Sequence, residues 1–125
     1  MNAILYVAFG GAIGAAARYL TTEWAGRRFG EFPYGTMIVN IVGSLLMGLV
    51  IGWLMTKAAG SDSLKLFLAT GVLGGFTTFS AFSLDAMNLL EEKSYSGFAA
   101  YVGGSVLLAI IALMIGLVLA RKVFG

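Results

Sequence analysis

The chain has no cysteine and no histidine, a single proline, and few charges: 8 Lys and Arg with 6 Asp and Glu in 125 residues. Without cysteine there is no disulfide and no thiolate, and no redox compartment to infer. Without histidine, the commonest general base near neutral pH and the commonest metal ligand are both missing. No nucleophile–base pair is evident, which argues against an enzyme. The net charge of +2 comes with no basic patch interleaved with aromatics, so nothing points to nucleic acid.

What the chain does have is apolar length. Hydrophobic residues make up 59% and charged residues 11%, against about half and a quarter in a soluble domain. Four runs carry the excess: residues 3–20, broken only by Arg18, then 35–56, 66–84 and 94–120, all uncharged. Each is close to the roughly 20 residues that cross a bilayer. The expected fold is an all-α membrane protein with four transmembrane helices at about 3–20, 35–56, 64–90 and 95–121, in one domain over 1–125. The first run follows no Lys or Arg, so it is expected to be the first helix of the mature chain rather than a signal peptide. Residues 21–34 form a polar connection in which Pro33 leads into helix two, with Gly35 or Thr36 near its cap. Ser61 or Ser63 is expected to cap helix three. Short loops make consecutive helices antiparallel neighbours.

The basic residues are balanced. Lys57, Lys65, Arg121 and Lys122 share one side, while Arg18, Arg27, Arg28 and Lys93 share the other. Orientation is set by Lys/Arg imbalance, and here there is almost none. Either other features fix one orientation, or the chain inserts both ways and opposed copies pair about a two-fold axis in the membrane plane. Small residues recur at four-residue spacing in every span: Gly10 and Gly14; Ser44, Gly48 and Gly52; Gly71 and Gly75; Ala100 and Gly104, then Ala112 and Gly116. Such spacing lets helices pack closely in lipid. A lumen is then narrow or lies between subunits.

The third span departs from an ordinary lipid-facing helix. Gly74-Gly75-Phe76-Thr77-Thr78-Phe79-Ser80-Ala81-Phe82-Ser83 concentrates glycine, hydroxyls and rings. In a regular helix Phe76, Phe79 and Phe82 form one stripe, and Thr77, Ser80 and Ser83 the next. Those hydroxyls could simply bond carbonyls one turn back, with the rings in lipid. Glycines beside a Thr-Thr pair instead predict a break, whose freed N–H and C=O groups need protein, water or an ion. Hydroxyls, an amide and ring edges suit an anion, whereas freed carbonyls suit a cation. Asn40, the only amide in an uncharged run, serves either as interhelical glue or as an anion donor. Arg18, placed in the last turn of helix one, either snorkels or draws anions into a vestibule. Asp85 either ends the span or pairs with a basic group. Tyr101 and Ser105 lie one turn apart on helix four, and the line continues into Ala109 and Ala112, where the polar face fades. Trp24, Tyr34 and Trp53 suit interfacial anchors.

The segments Gly10-Gly11-Ala12-Ile13-Gly14-Ala15-Ala16-Ala17-Arg18-Tyr19, Pro33-Tyr34-Gly35-Thr36 with Val39-Asn40 and Gly43, and residues 74–83 together resemble the Fluc (CrcB) fluoride channels of microbes, over essentially the whole chain. The resemblance implies an antiparallel, dual-topology homodimer of four-helix subunits in the bacterial inner membrane. It implies two fluoride pores and a structural sodium ion at the two-fold axis. It also assigns roles. Phe79 and Phe82 line the pores by their ring edges, and Asn40 is the pore amide. Tyr101 and Ser105 form a polar track joined by Thr78 and Ser80, and Arg18 sits at a vestibule. The backbone carbonyls of Gly74 and Thr77 hold the sodium. Two positions depart from the pattern: Ala81 and Ala109 stand where a hydroxyl is usual. The implied activity is passive fluoride export. The rival reading is a small dimeric proton-coupled multidrug exporter, which needs a membrane-embedded carboxylate. On this reading Glu23 falls in a loop and cannot serve. A lipid-binding assembly subunit is a further rival.

Overall fold

Asn2 starts the first helix: its side-chain oxygen accepts the Ile4 N–H at 3.0 Å, which satisfies one of the donors that a helix start leaves open. In the computed structural model, which describes residues 2–57 and 62–125, α1 then runs over Ala3–Phe29. That is nine residues beyond the apolar run. The reason is local. No proline occurs before Pro33, and the Thr21 and Thr22 hydroxyls bond the carbonyls of Ala17 and Tyr19 within the helix. Gly30 ends α1 at φ +87, a conformation open to glycine at little cost. The expected connection over 21–34 thus shrinks to 30–33, and α2 (Tyr34–Lys57) starts directly after Pro33. The Pro33 carbonyl accepts the Met37 N–H, so Gly35 and Thr36 lie inside the first turn rather than capping it.

The third span is discontinuous. α3 (Asp62–Lys65) passes into a π-helical stretch, π1 (Leu66–Leu73), and then into one turn, α4 (Gly74–Phe76). The Gly74 N–H reaches back to the Ala69 carbonyl, five residues away. Ser63 lies within α3, and Ser61 is outside the described residues. The chain breaks at Thr77, with φ −90 and ψ 158, and resumes as α5 (Ser80–Glu91). The glycine pair is therefore not the break itself. Gly74 is helical at φ −62 and ψ −39. At Gly75 an added Cβ would lie 2.6 Å from the Gly11 carbonyl oxygen. α5 closes in a Schellman turn: the Lys93 N–H bonds the Leu90 carbonyl and the Ser94 N–H the Leu89 carbonyl, both at 2.9 Å. Lys93 holds the left-handed position, φ +58. α6 (Tyr95–Phe124) is the fourth span.

Among the described residues four helical segments are long and apolar enough to cross a membrane: Ala3–Phe29, Tyr34–Thr56, Asp62–Glu91 and Tyr95–Phe124. Packing sorts them into two pairs. α1 lies on π1 and α4, with Gly10 against Gly71 and Gly14 against the Val72 backbone. α2 lies along α6, with Gly48 against Gly116 and Gly52 against Ala120. These are the small-residue contacts that bring backbones together where lipid offers no hydrophobic drive. α5 leans on α6 through Phe82, Ala86, Leu89 and Tyr101, with Phe32 and Met37 packed over them. The break sits between the two pairs.

Candidate functional site

The site is built from the peptide groups that the break leaves open. In a continuous helix the Thr78 N–H would bond the Gly74 carbonyl. Here it goes instead to Asn40 Oδ1 at 2.8 Å, while Asn40 Nδ2 donates to the Thr78 carbonyl at 2.9 Å. One side chain of α2 thus satisfies both faces of one peptide residue. The Ala81 N–H is taken by Thr78 Oγ1 at 3.1 Å, so Thr78 caps α5. Thr78 Oγ1 also lies 3.3 Å from Ser80 Oγ. On the N-terminal limb, the Thr77 N–H and hydroxyl both return to the Leu73 carbonyl, at 3.1 and 2.9 Å. Arg18 Nε donates to the Gly75 carbonyl at 3.1 Å. Arg18 is not in the last turn of helix one, because α1 continues for eleven residues beyond it. It is half-buried against the break.

Several carbonyls lose their helical donors at the break, those of Gly74 and Thr77 among them. The donors that would serve these two in a continuous helix are the N–H groups of Thr78 and Ala81. Among the described residues no cluster of His, Cys, Asp or Glu is able to hold a metal ion. Backbone oxygen at the break is thus the hard, neutral donor set that suits a sodium ion in kind. Two such oxygens from one chain are too few to enclose it, so the fit is conditional on a second copy.

Beside the break lies a cavity of about 480 Å³, bordered by Asn40, Ser44, Thr78, Phe79, Phe82 and Ser105. Gly74 and Thr77 touch it, and so do Ala109 and Leu113. Among the described residues no charged side chain borders it. The two phenylalanines differ: Phe79 is 78% exposed and Phe82 only 8%, with ring centroids 5.6 Å apart. They do not form a stripe, because the break turns α5 away from α4. Phe82 packs on Tyr101 at 5.3 Å. The Tyr101 hydroxyl donates to Asp85 Oδ2 at 3.0 Å. Ser83 bonds the Phe79 carbonyl. Ser105, 4% exposed, has a buried hydroxyl with no partner among the described residues.

Of the residues singled out in the sequence, Asn40, Thr78, Phe79, Phe82 and Ser105 meet at the cavity, together with Gly74 and Thr77. Arg18, Ser80 and Tyr101 stand outside its border. Asp85 pairs with the Tyr101 phenol rather than with a basic group. Ser44 was assigned to packing, yet it faces the cavity. Its signal was available, since it lies one turn from Asn40 on the same helical face. Phe32, which packs edge-on against Tyr101 at 5.8 Å, left no signal. Glu23 is helical rather than in a loop, and exposed.

The family described as CrcB-like protein, Camphor Resistance (CrcB), matches residues 5–117. The chain belongs to the CrcB family. Curated relatives agree over full length. The fluoride-specific ion channel FluC of Hyphomonas neptunium is 53% identical over 127 residues, covering 100% of both chains. That of Caulobacter vibrioides is 48% identical with the same coverage. That of Rhizobium meliloti is 48% identical over 97% of this chain and 98% of its own. Membership in the CrcB family agrees with the four membrane-length helices and with the resemblance read from the motifs.

Proposed function

We propose that this chain is a fluoride-specific ion channel that passively exports fluoride from the cytoplasm across the bacterial inner membrane. The observation that carries the reading is the uncharged cavity at the break, where amide, hydroxyl and ring-edge donors converge. Full-length relatives near 50% identity bear that activity in their names. Fluoride is small and strongly hydrated, and losing water without replacement costs tens of kcal/mol by Born-type reasoning. The second Nδ2 hydrogen of Asn40, the Ser105 hydroxyl and the edges of Phe79 and Phe82 take the place of lost water. No fixed charge holds the ion there, so release remains easy. Arg18 supplies positive potential near the break, while its Nε steadies the Gly75 carbonyl.

The working unit in this proposal is an antiparallel, dual-topology homodimer with two pores. Its support is the near-equal basic charge at the two ends of the helices, and the exposure of Phe79 unless a second subunit covers it. A sodium ion at the two-fold axis would bind the Gly74 and Thr77 carbonyls of both copies and tie the two breaks together. The exporter reading finds no support in the site: Asp85 is engaged by Tyr101, and no carboxylate among the described residues borders the cavity.

The test is fluoride efflux from loaded proteoliposomes, followed with a fluoride electrode. Fluoride should leave rapidly, and chloride should not. Equal chloride efflux, or no fluoride movement, defeats the proposal. Efflux that needs sodium during purification supports the ion at the axis.

A further inference from the structure

The polar face of α6 stops at Ser105; one turn on stands Ala109, and then Ala112. Yet the cavity continues past Ser105 to Ala109 and Leu113. An anion moving along it would leave the Ser105 hydroxyl and meet only methyl and isobutyl groups on that wall. The opposite wall is α2. Gly48 packs on Gly116 and Gly52 on Ala120, so α2 and α6 run side by side in constant register. Carried back one turn, that register sets Ser44 level with Ala112, just beyond Ala109. Ser44 borders the cavity, is half-buried, and makes no side-chain hydrogen bond among the described residues. On α2 it follows Asn40 by one turn on the same face.

We infer that Ser44 is an anion-donating residue of this path, supplying from α2 the hydroxyl that α6 lacks at Ala109. The inference rests on the fluoride-channel reading. Three donors then follow one another along the path: Ser105 on α6, level with Met37, then Asn40 on α2, then Ser44 one turn further along α2. Ser105 is more than nine-tenths buried with an idle hydroxyl beside the same space, so the two serines mark the ends of a stretch, with Asn40 between them, along which a small desolvated anion can be passed from donor to donor. Both serines are neutral, which keeps the step weakly binding.

The experiment compares fluoride efflux from proteoliposomes for the wild-type chain, Ser44→Thr, Ser44→Val and the double variant Ser44→Val with Ala109→Ser. Thr and Val have nearly the same shape and differ in the hydroxyl. A hydrogen bond to a charged group, if lost only at the rate-limiting point, slows transport by roughly ten- to one-hundred-fold. Ser44→Val should show such a loss, Ser44→Thr should stay within about three-fold of wild type, and Ala109→Ser should restore most of the flux. A purely structural role for Ser44 would not be rescued by a hydroxyl on another helix. If Ser44→Val does not assemble, Ser44→Ala is read in its place with the same expectation. Wild-type efflux with an unimpaired Ser44→Val or Ser44→Ala, or a failed rescue by Ala109→Ser, overturns this inference alone. Absence of wild-type efflux overturns the channel reading beneath it.

Discussion

At the residue scale, Asn40 carries two separable duties. Its bonds to Thr78 hold the break, and it borders the cavity with one N–H to spare. Asn40→Leu removes both bonds and leaves a peptide N–H and C=O unpaired, at about 1–3 kcal/mol each. The variant should lose about 2–6 kcal/mol of stability, read as a lower temperature of loss of the monodisperse detergent peak. Asn40→Asp keeps the acceptor for the Thr78 N–H, so it should unfold above the Leu variant. It should still stop fluoride, because a carboxylate repels the anion. Equal stability of Asn40→Leu and wild type would refute the clamp. The phenylalanines separate in the same way. Phe79, largely exposed within one subunit, should lose less stability on replacement by Ile than Phe82, whose change to Ile should cost about 1–2 kcal/mol by loosening the contact with Tyr101. Both should lose flux. Most donors at the site were legible because hydroxyls and an amide are conspicuous in apolar runs. The partners of Arg18 and Asp85 were not, because a carbonyl at Gly75 and a phenol at Tyr101 come near only through packing between spans.

At the element scale, the glycines distinguish contact from open surface. An added methyl at Gly14 runs into the Val72 backbone carbonyl, whereas one at Gly11 meets nothing within 4 Å. Backbone cannot step aside as a flexible side chain does. Gly14→Ala should therefore separate α1 from π1 and reduce stability by more than about 2 kcal/mol. Gly11→Ala should be neutral or stabilising by up to about 1 kcal/mol through helix propensity. Thermal denaturation of both variants in one detergent checks the contrast. Lys93 offers the opposite sign. As a non-glycine in the left-handed position of a Schellman turn, it carries roughly 1 kcal/mol of strain. Lys93→Gly should raise the same transition by about that amount. The four spans were legible from apolar length. The reach of α1 to Phe29 was not, because polar residues end an apolar run without ending a helix. The π winding of π1 was also illegible, because Leu66 to Leu73 reads like any buried helix. The break falls at Thr77, in the Thr-Thr pair beside the glycines as the sequence predicts, with Gly75 serving close packing and Asn40 and Thr78 replacing the missing backbone bonds.

At the scale of the whole molecule, the decisive quantity is the balance of basic residues about the membrane. With Arg18 inside α1, Arg27, Arg28 and Lys93 remain at one end, three in all. At the other stand four: Lys57, Lys65, Arg121 and Lys122. That near-equality is what an antiparallel pair requires, since a Lys/Arg excess would commit every copy to one orientation. The balance is also easy to tip. Arg27→Gln with Arg28→Gln leaves one against four. Arg121→Gln with Lys122→Gln and Glu31→Lys leaves four against two. Each set should fix one orientation, and the two orientations should be opposite, as read by labelling of cysteines introduced at the two ends. Expressed alone, either variant should lose most fluoride tolerance in cells, because parallel copies cannot bring two breaks together about an in-plane axis. Expressed together, they should restore it. The substituted residues lie outside the cavity, so the rescue reports orientation rather than chemistry at the site. Full tolerance from one variant alone, with labelling confined to a single orientation, would mean that opposed copies are not needed.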